Sequence, residues 1–253
     1  MTTPTELRLL AESVAREVGE QITERRNSGF SWDTKSSTTD VVTEIDTWAE
    51  AKVVELLVAA RPHDGLLGEE GTSTEGSTGV LWTIDPIDGT TNLLYDIPGY
   101  SVSVGASIDG VALAGAVYDP VRSELFSAST GDGATRNGKP ISVSGATDLA
   151  TSLLGTGFSY NRDERARQGS TMEMILPAVR DIRRLGGAAL DLCNVASGRL
   201  DAYAERGLSP WDFAAGAVIA AEAGADVITG PFTRASTPGI TAALDDLLAN
   251  AAV

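Results

Sequence analysis

The stretch Trp82-Thr83-Ile84-Asp85-Pro86-Ile87-Asp88-Gly89-Thr90-Thr91-Asn92 decides how the rest of the chain is read. Val80 to Ile84 is apolar enough for a buried strand, and it delivers Asp85 at its C-terminal end, where α/β proteins place ligand sites. Pro86 fixes φ and carries no N–H, so the strand is expected to stop at Asp85-Pro86. Asp88 follows close enough for both carboxylates to converge on one cation. Gly89-Thr90-Thr91 supplies backbone amides and hydroxyls suited to a phosphate at a helix N-terminus. Taken alone, an Asp-Pro/Asp-Gly sequence is more often an ordinary turn, and both readings stay open at this point. Two rival motifs fail. An EF-hand loop with its glycine at Gly89 needs Glu where Tyr95 stands, and a phosphoaspartate phosphatase needs its aspartates one residue closer.

Three further segments carry candidate chemistry. Leu66-Leu67-Gly68-Glu69-Glu70-Gly71 resembles another strand end bearing a carboxylate, although such a segment is more often a solvated turn. Ser209-Pro210-Trp211-Asp212 opens a helix whose continuation is apolar on all sides; Asp212 either caps it or faces a cleft or cation. In Lys35 to Asp46, Thr39 or Asp40 can cap the next helix, whereas Asp46 lies inside that helix with no capping role expected.

Composition narrows the chemistry. Against 19 basic side chains stand 35 acidic ones, a net charge of −16, which repels phosphate backbones and argues against a nucleic-acid binder. A single cysteine, Cys193, excludes an internal disulfide and a Cys-cluster metal site, and a single histidine, His63, leaves zinc and haem sites short of ligands. Oxygen donors abound, which suits hard cations such as Mg²⁺. No stretch is long and apolar enough to span a bilayer and no secretory signal follows Met1, so a cytoplasmic protein without membrane partners is expected.

The periodicity predicts a first helix capped by Thr3, Pro4 and Glu6, with Leu7, Leu10, Val14, Val18 and Ile22 on one face and an end near Asn27-Ser28-Gly29. Phe30 to Thr39 reads as a mobile loop, and a second helix is expected from Val42 to Ala60. A hairpin turning at Asp109-Gly110 and another at Asn137-Gly138 follow. The later half alternates apolar runs (152–158, 201–203, 225–228) with helices at 188–196 and 213–223. We place a soft boundary near Ser144, between an α+β part (1–144) and an α/β part (145–253). The arginines 162, 165, 167, 183 and 184 read as helix surface and interface.

Together these segments resemble the inositol monophosphatase family of Mg²⁺-dependent, lithium-sensitive phosphatases. The resemblance rests on Gly68-Glu69-Glu70, on Trp82-x-Ile84-Asp85-Pro86-Ile87-Asp88-Gly89-Thr90, and on Trp211-Asp212-x-Ala214-Ala215-Gly216 with Glu222-Ala223-Gly224. Lys35 to Asp46, Gly186 to Cys193 and Asp201 to Glu205 match as well, so that about residues 5 to 245 are covered, and the wording is most similar to bacterial inositol-1-monophosphatases. The departures are Leu93 for an aromatic, Gly187 for a small hydroxyl residue and Ala225 for a second glycine; none removes a metal ligand.

The resemblance implies a layered αβαβα sandwich of the inositol monophosphatase/fructose-1,6-bisphosphatase type and a homodimer. It implies that Glu69, Asp85 and the Ile87 carbonyl hold one Mg²⁺ and that Asp85, Asp88 and Asp212 hold a second, with a weaker third at Glu69. Thr90, paired with Asp46, would orient the attacking water. Gly89, Thr90 and Thr91 would receive the phosphate, while Asp88, Gly186, Ala188, Glu205 and Asp212 face the sugar-alcohol hydroxyls. The substrate implied is myo-inositol 1-phosphate or a related polyol phosphate. Histidinol phosphate, whose cation would suit an acidic pocket, is the runner-up, ahead of a bisphosphate substrate; a non-catalytic regulatory protein keeping the fold is the alternative from another class.

Overall fold

The computed structural model describes residues 2–35 and 41–251. Helix α1 (Pro4–Asn27) starts as its sequence dictates: the Thr3 side chain accepts from the Glu6 amide, and Glu6 answers by accepting from the Thr3 amide at 2.8 Å. The expected loop at Phe30–Thr39 contains paired backbone instead. Strand β1 (Trp32–Thr34) lies antiparallel to β2 (Val41–Thr43), Trp32 opposite Thr43. Thr39 and Asp40, the expected caps, lie outside the described residues. Helix α2 (Glu44–Ala60) begins two residues later than expected, because Thr43 is its N-cap.

The first sheet is built from β3 (Gly65–Gly68), β4 (Ser73–Thr74), β5 (Val80–Asp88), β6 (Ser101–Ile108), β7 (Val111–Asp119), β8 (Glu124–Ser129), β9 (Gly133–Arg136) and β10 (Lys139–Pro140). Its spatial order is β10-β9-β8-β7-β6-β5-β3-β4, antiparallel except between β3 and β5. Strand β5 runs through Pro86 to Asp88 rather than stopping before it. The ladder to β6 is irregular between Asp85 and Asp88, so the proline falls where no amide is required. The β6–β7 turn has positive φ at Asp109 and Gly110, as a type I′ hairpin requires.

The second sheet contains β11 (Leu153–Thr156), β12 (Asp181–Arg183), β13 (Ala202–Arg206), β14 (Asp226–Ile228) and β15 (Phe232–Ser236) in the order β12-β11-β13-β15-β14. Helices α3 (Thr90–Leu94), α4 (Arg162–Ile175), α5 (Ala188–Ala196), α6 (Pro210–Glu222) and α7 (Thr241–Asn250) complete the fold. Of the five arginines assigned to helix surface, only 162, 165 and 167 are helical; Arg183 ends β12 and Arg184 is in the following loop.

Three apolar clusters define the layers. Leu7, Val18 and Ile22 of α1 and Val53 and Leu57 of α2 pack with Trp82, Ile84 and Val104 on one face of the first sheet. Val117 and Phe126, with Leu192 of α5, Ile219 of α6 and Tyr203 and Ala235 of the second sheet, form the middle cluster. Leu154, Ile175, Leu244 and Leu248 close the outer face under α4 and α7. The result is the αβαβα sandwich. Helix α6 rides unusually close to the first sheet: a Cβ on Gly105 would come within 2.9 Å of Ala214 Cβ, and one on Gly115 within 2.7 Å of Ala215 Cα. That close seating brings the start of α6, and Asp212 with it, beside the end of β5.

Candidate active site

A cavity of about 410 Å³ opens where the C-terminal ends of β3 and β5 meet the starts of α3, α5 and α6. Glu69, Asp85, Ile87, Asp88 and Asp212 all line it. Gly89, Thr90, Gly186, Ala188 and Glu205 complete the parts of the wall that the sequence singles out. Thr91 is half-buried and does not line the cavity, and Asp46 lies fully buried behind Thr90. A larger hollow of about 630 Å³ lies beside α1 and the start of α2, but it gathers no comparable chemistry. There Arg25 stacks on Trp48 and Glu44 accepts from Ser31.

Each carboxylate is aimed by backbone amides. Asp85 Oδ1 accepts from the Ile87 amide at 3.0 Å, a local turn that holds the residue on the cavity wall. Asp88 accepts from the amides of Ala188 (3.1 Å) and Ala189 (2.8 Å), so it caps α5 from a hundred residues away. Gly187 makes room for this: a Cβ there would come within 2.8 Å of Asp88 Oδ2. The Ala188 amide is thereby engaged by Asp88. Asp212 Oδ2 accepts from the Ser209 amide at 2.6 Å, so capping and a place on the cavity wall coincide in one residue.

Asp46 corrects the expectation that it has no capping role. It is the third residue of α2, and its Oδ2 accepts from the Thr43 amide at 2.8 Å while Oδ1 accepts from the Thr90 hydroxyl at 2.9 Å. That hydroxyl also lies 3.0 Å from the Ile87 carbonyl. Gly89, at φ +92°, turns the chain into α3, whose first amides have no acceptor within the helix.

The electrostatics are those of crowded, buried carboxylates. Burial raises the pKa of Asp85 well above the ordinary value, and the charges of Glu69, Asp88 and Asp212 raise it further. Burial and then the charge of Asp212 do the same to Asp88, against the Ala188 and Ala189 amides. Burial, with Glu69 and Glu205 nearby, pushes Asp212 up to about 7 despite the Ser209 amide. These three groups fully ionised, with the less buried Glu69 beside them, would repel one another by several kcal/mol at an effective dielectric of about 20. Among the described residues, no three acidic, histidine or cysteine side chains converge as a ready-made metal cage. Instead Lys35 bridges Glu69 Oε1 (2.8 Å) and Glu70 Oε1 (2.5 Å), one positive charge against a surplus of negative ones. The donor set is all oxygen and its net charge calls for cations, so the residues present fit hard divalent ions.

Some residues of the site went unread in the sequence. Asp191 lines the same cavity, is 2% exposed, and has an Oδ1 without a hydrogen-bond partner; a lone Asp within the apolar run Ala188–Ala196 was the available signal. Tyr203 donates to Glu205 at 2.5 Å, and Glu50 supports the turn after β3; neither carries a sequence signature of its own.

Comparison with known proteins agrees with this fold. The profile of the inositol monophosphatase family matches residues 3–251. An inositol-1-monophosphatase of Mycobacterium bovis is 43% identical over 97% of this chain and 93% of its own length. A protein of Pasteurella multocida named Nus factor SuhB is 42% identical over 76% of this chain and 72% of its own length. The solved structure of Mycobacterium tuberculosis SuhB superposes with a TM-score of 0.88 at 41% identity, covering 99% of this chain and 98% of the other. With its fold, its acidic cavity and a match along nearly its whole length, the chain belongs to the inositol monophosphatase family.

Proposed function

We propose that the protein is a Mg²⁺-dependent phosphomonoesterase that hydrolyses myo-inositol 1-phosphate and related sugar-alcohol phosphates by in-line attack of water. The observation that carries this reading is that Glu69, Asp85, Asp88 and Asp212, from three separated segments, line one cavity beside the first amides of α3, which have no acceptor within the helix.

Glu69, Asp85, the Ile87 carbonyl, Asp88 and Asp212 are the groups that would hold the metal ions. Bound Mg²⁺ supplies Lewis acidity and cancels charge on the phosphoryl and leaving oxygens. The remaining work falls to the chain. The Thr90 hydroxyl directs its proton toward Asp46 and the Ile87 carbonyl, which leaves its lone pairs to accept a proton of the attacking water and fix its orientation. The amides of Gly89 and Thr90, which line the cavity, receive phosphate oxygens at the start of α3. Glu205, held by the Tyr203 hydroxyl, faces the polyol with Asp212 and the Gly186–Ala188 segment.

A homodimer is part of the proposal. Tyr95, Ile97 and Leu185 are exposed apolar side chains on segments that Asn92 ties together through the carbonyls of Gly99 and Leu185, a face suited to a second copy. Among the described residues no helix is long and apolar enough to cross a membrane.

Two specific observations favour other readings. The acidity of the cavity suits a cationic ester such as histidinol phosphate. The relatives named Nus factor SuhB suggest a regulatory role with or without catalysis. Against a purely non-catalytic role stands the cost of keeping several buried carboxylates together, which folding alone does not favour. Phosphate release with Mg²⁺ from inositol 1-phosphate, histidinol phosphate, fructose 1,6-bisphosphate and adenosine 3′,5′-bisphosphate decides among them. Fastest release from inositol 1-phosphate supports the proposal, and no release from any of the four refutes it.

A further inference from the structure

Helix α2 carries two buried carboxylates one helical turn apart, Asp46 and Glu50, which back different walls of the cavity from outside it. Asp46 holds the Thr90 hydroxyl. Glu50 does not line the cavity. Its Oε2 accepts from the Glu70 amide at 2.7 Å and its Oε1 from the Thr72 amide at 2.9 Å. One oxygen per amide fixes both the position and the rotation of the turn that presents Glu69.

The sheet holds only the base of this turn, through the pairing of β3 with β4 and the Gly68 amide donating to the Thr72 carbonyl at 2.8 Å. The pairing of β3 with β5 ends at Gly68 opposite Ile84, and the Glu69 amide, donating to the Ile84 carbonyl at 3.2 Å, is the last link between the two strands. Beyond it, Glu69 departs on one chain and Ile87 to Thr90 on the other. A second observation points the same way: a Cβ on Gly68 would collide with the Glu50 carboxylate. The glycine of the Gly68-Glu69-Glu70 element is therefore the space that this brace occupies.

We propose that Glu50 is a positioning residue that fixes Glu69 relative to Thr90, so that α2 sets the spacing between the two walls that hold metal ions and water. The proposal rests on the reading of this cavity as a Mg²⁺-dependent phosphatase site. Asp46 and Glu50 then act as paired struts from one rigid helix, the first through Thr90 and the second through the 69–72 turn.

Glu50→Gln tests it, because the amide group keeps the size of the side chain but offers an acceptor to only one of the two N–H groups. Three quantities are measured. In calorimetric titration of the substrate-free protein, Mg²⁺ affinity should fall by about 10–100-fold, the range for lost supporting contacts around a metal site. The Mg²⁺ concentration for half-maximal phosphate release should rise in parallel while KM for inositol 1-phosphate stays near the parent value. Hydrogen exchange at the Glu70 and Thr72 amides should accelerate. Should Glu50→Gln fail to fold, Gly68→Ala keeps Glu50 but drives its carboxylate off the amides, and the same pattern is expected. A variant with a lowered Tm and unchanged Mg²⁺ affinity would make Glu50 a structural residue only and overturn the proposal, whatever the exchange rates show. A parent protein that itself binds no Mg²⁺ would instead bring down the functional reading, and this proposal with it.

Discussion

Asp46, Asp88 and Asp212 each hydrogen-bond amides at a helix start and also belong to the cavity or its backing. Along the chain, capping and ligation look like alternatives for Asp212. In three dimensions one oxygen meets an amide while the group still faces the cavity. This is why residue type and position mark the carboxylates that line the cavity while their roles come only with the family resemblance, whereas Glu50 and Tyr203, which act through contacts between distant segments, carry no such mark. Asp88→Asn should lower turnover by about three orders of magnitude with the fold retained, because it removes one charge from a charge-matched site; phosphate-release kinetics together with circular dichroism check both halves. Asp64 makes a different residue-scale prediction. Burial alone would raise its pKa, but hydrogen bonds from Arg61, Thr78 and Trp82 outweigh this and hold it below its usual 3.8. Its contribution is therefore present above about pH 4 and lost as pH falls through the lower folded value. Asp64→Asn should destabilise the protein by about 1–3 kcal/mol at pH 7, with the gap to the parent closing in acid. A gap that stays constant to pH 2 in denaturant titrations would contradict this.

Among elements, α1 was legible because its cap and its apolar stripe are both local signals. The passage of β5 through Pro86 was not, since only the irregular pairing with β6 shows that the proline's missing amide goes unused. Nor could the β1–β2 pairing be read, because β1 is exposed on every residue and leaves no apolar alternation. The closeness of α6 to β6 and β7 is likewise a tertiary fact, carried by Gly105 and Gly115. Gly115→Ala should cost about 1–3 kcal/mol through overpacking. By shifting α6 it should also weaken the contribution of Asp212, so that Mg²⁺ dependence and thermal stability change together. Loss of stability with unaltered Mg²⁺ dependence would show that α6 adjusts without moving its N-terminus.

For the whole molecule, three apolar clusters fix five layers, and the cavity forms where strand ends and helix starts from both sheets meet. The order of layers followed from the family resemblance; residue patterning alone yields only the alternation of helices and strands. The same architecture concentrates buried negative charge at one point in a chain that already carries −16. Cations that bind the folded state should therefore stabilise it. At a free Mg²⁺ concentration about a hundred times its dissociation constant, the gain is about 2.7 kcal/mol, visible as a higher Tm. Na⁺ at equal ionic strength should give much less. The central claim, that these acidic side chains work by gathering divalent metal around a phosphate ester, is tested most directly by phosphate release from inositol 1-phosphate after treatment with EDTA. The account predicts that activity vanishes on chelation, returns when Mg²⁺ is added in excess, and does not return in Asp88→Asn; hydrolysis that continues undiminished in EDTA would contradict it.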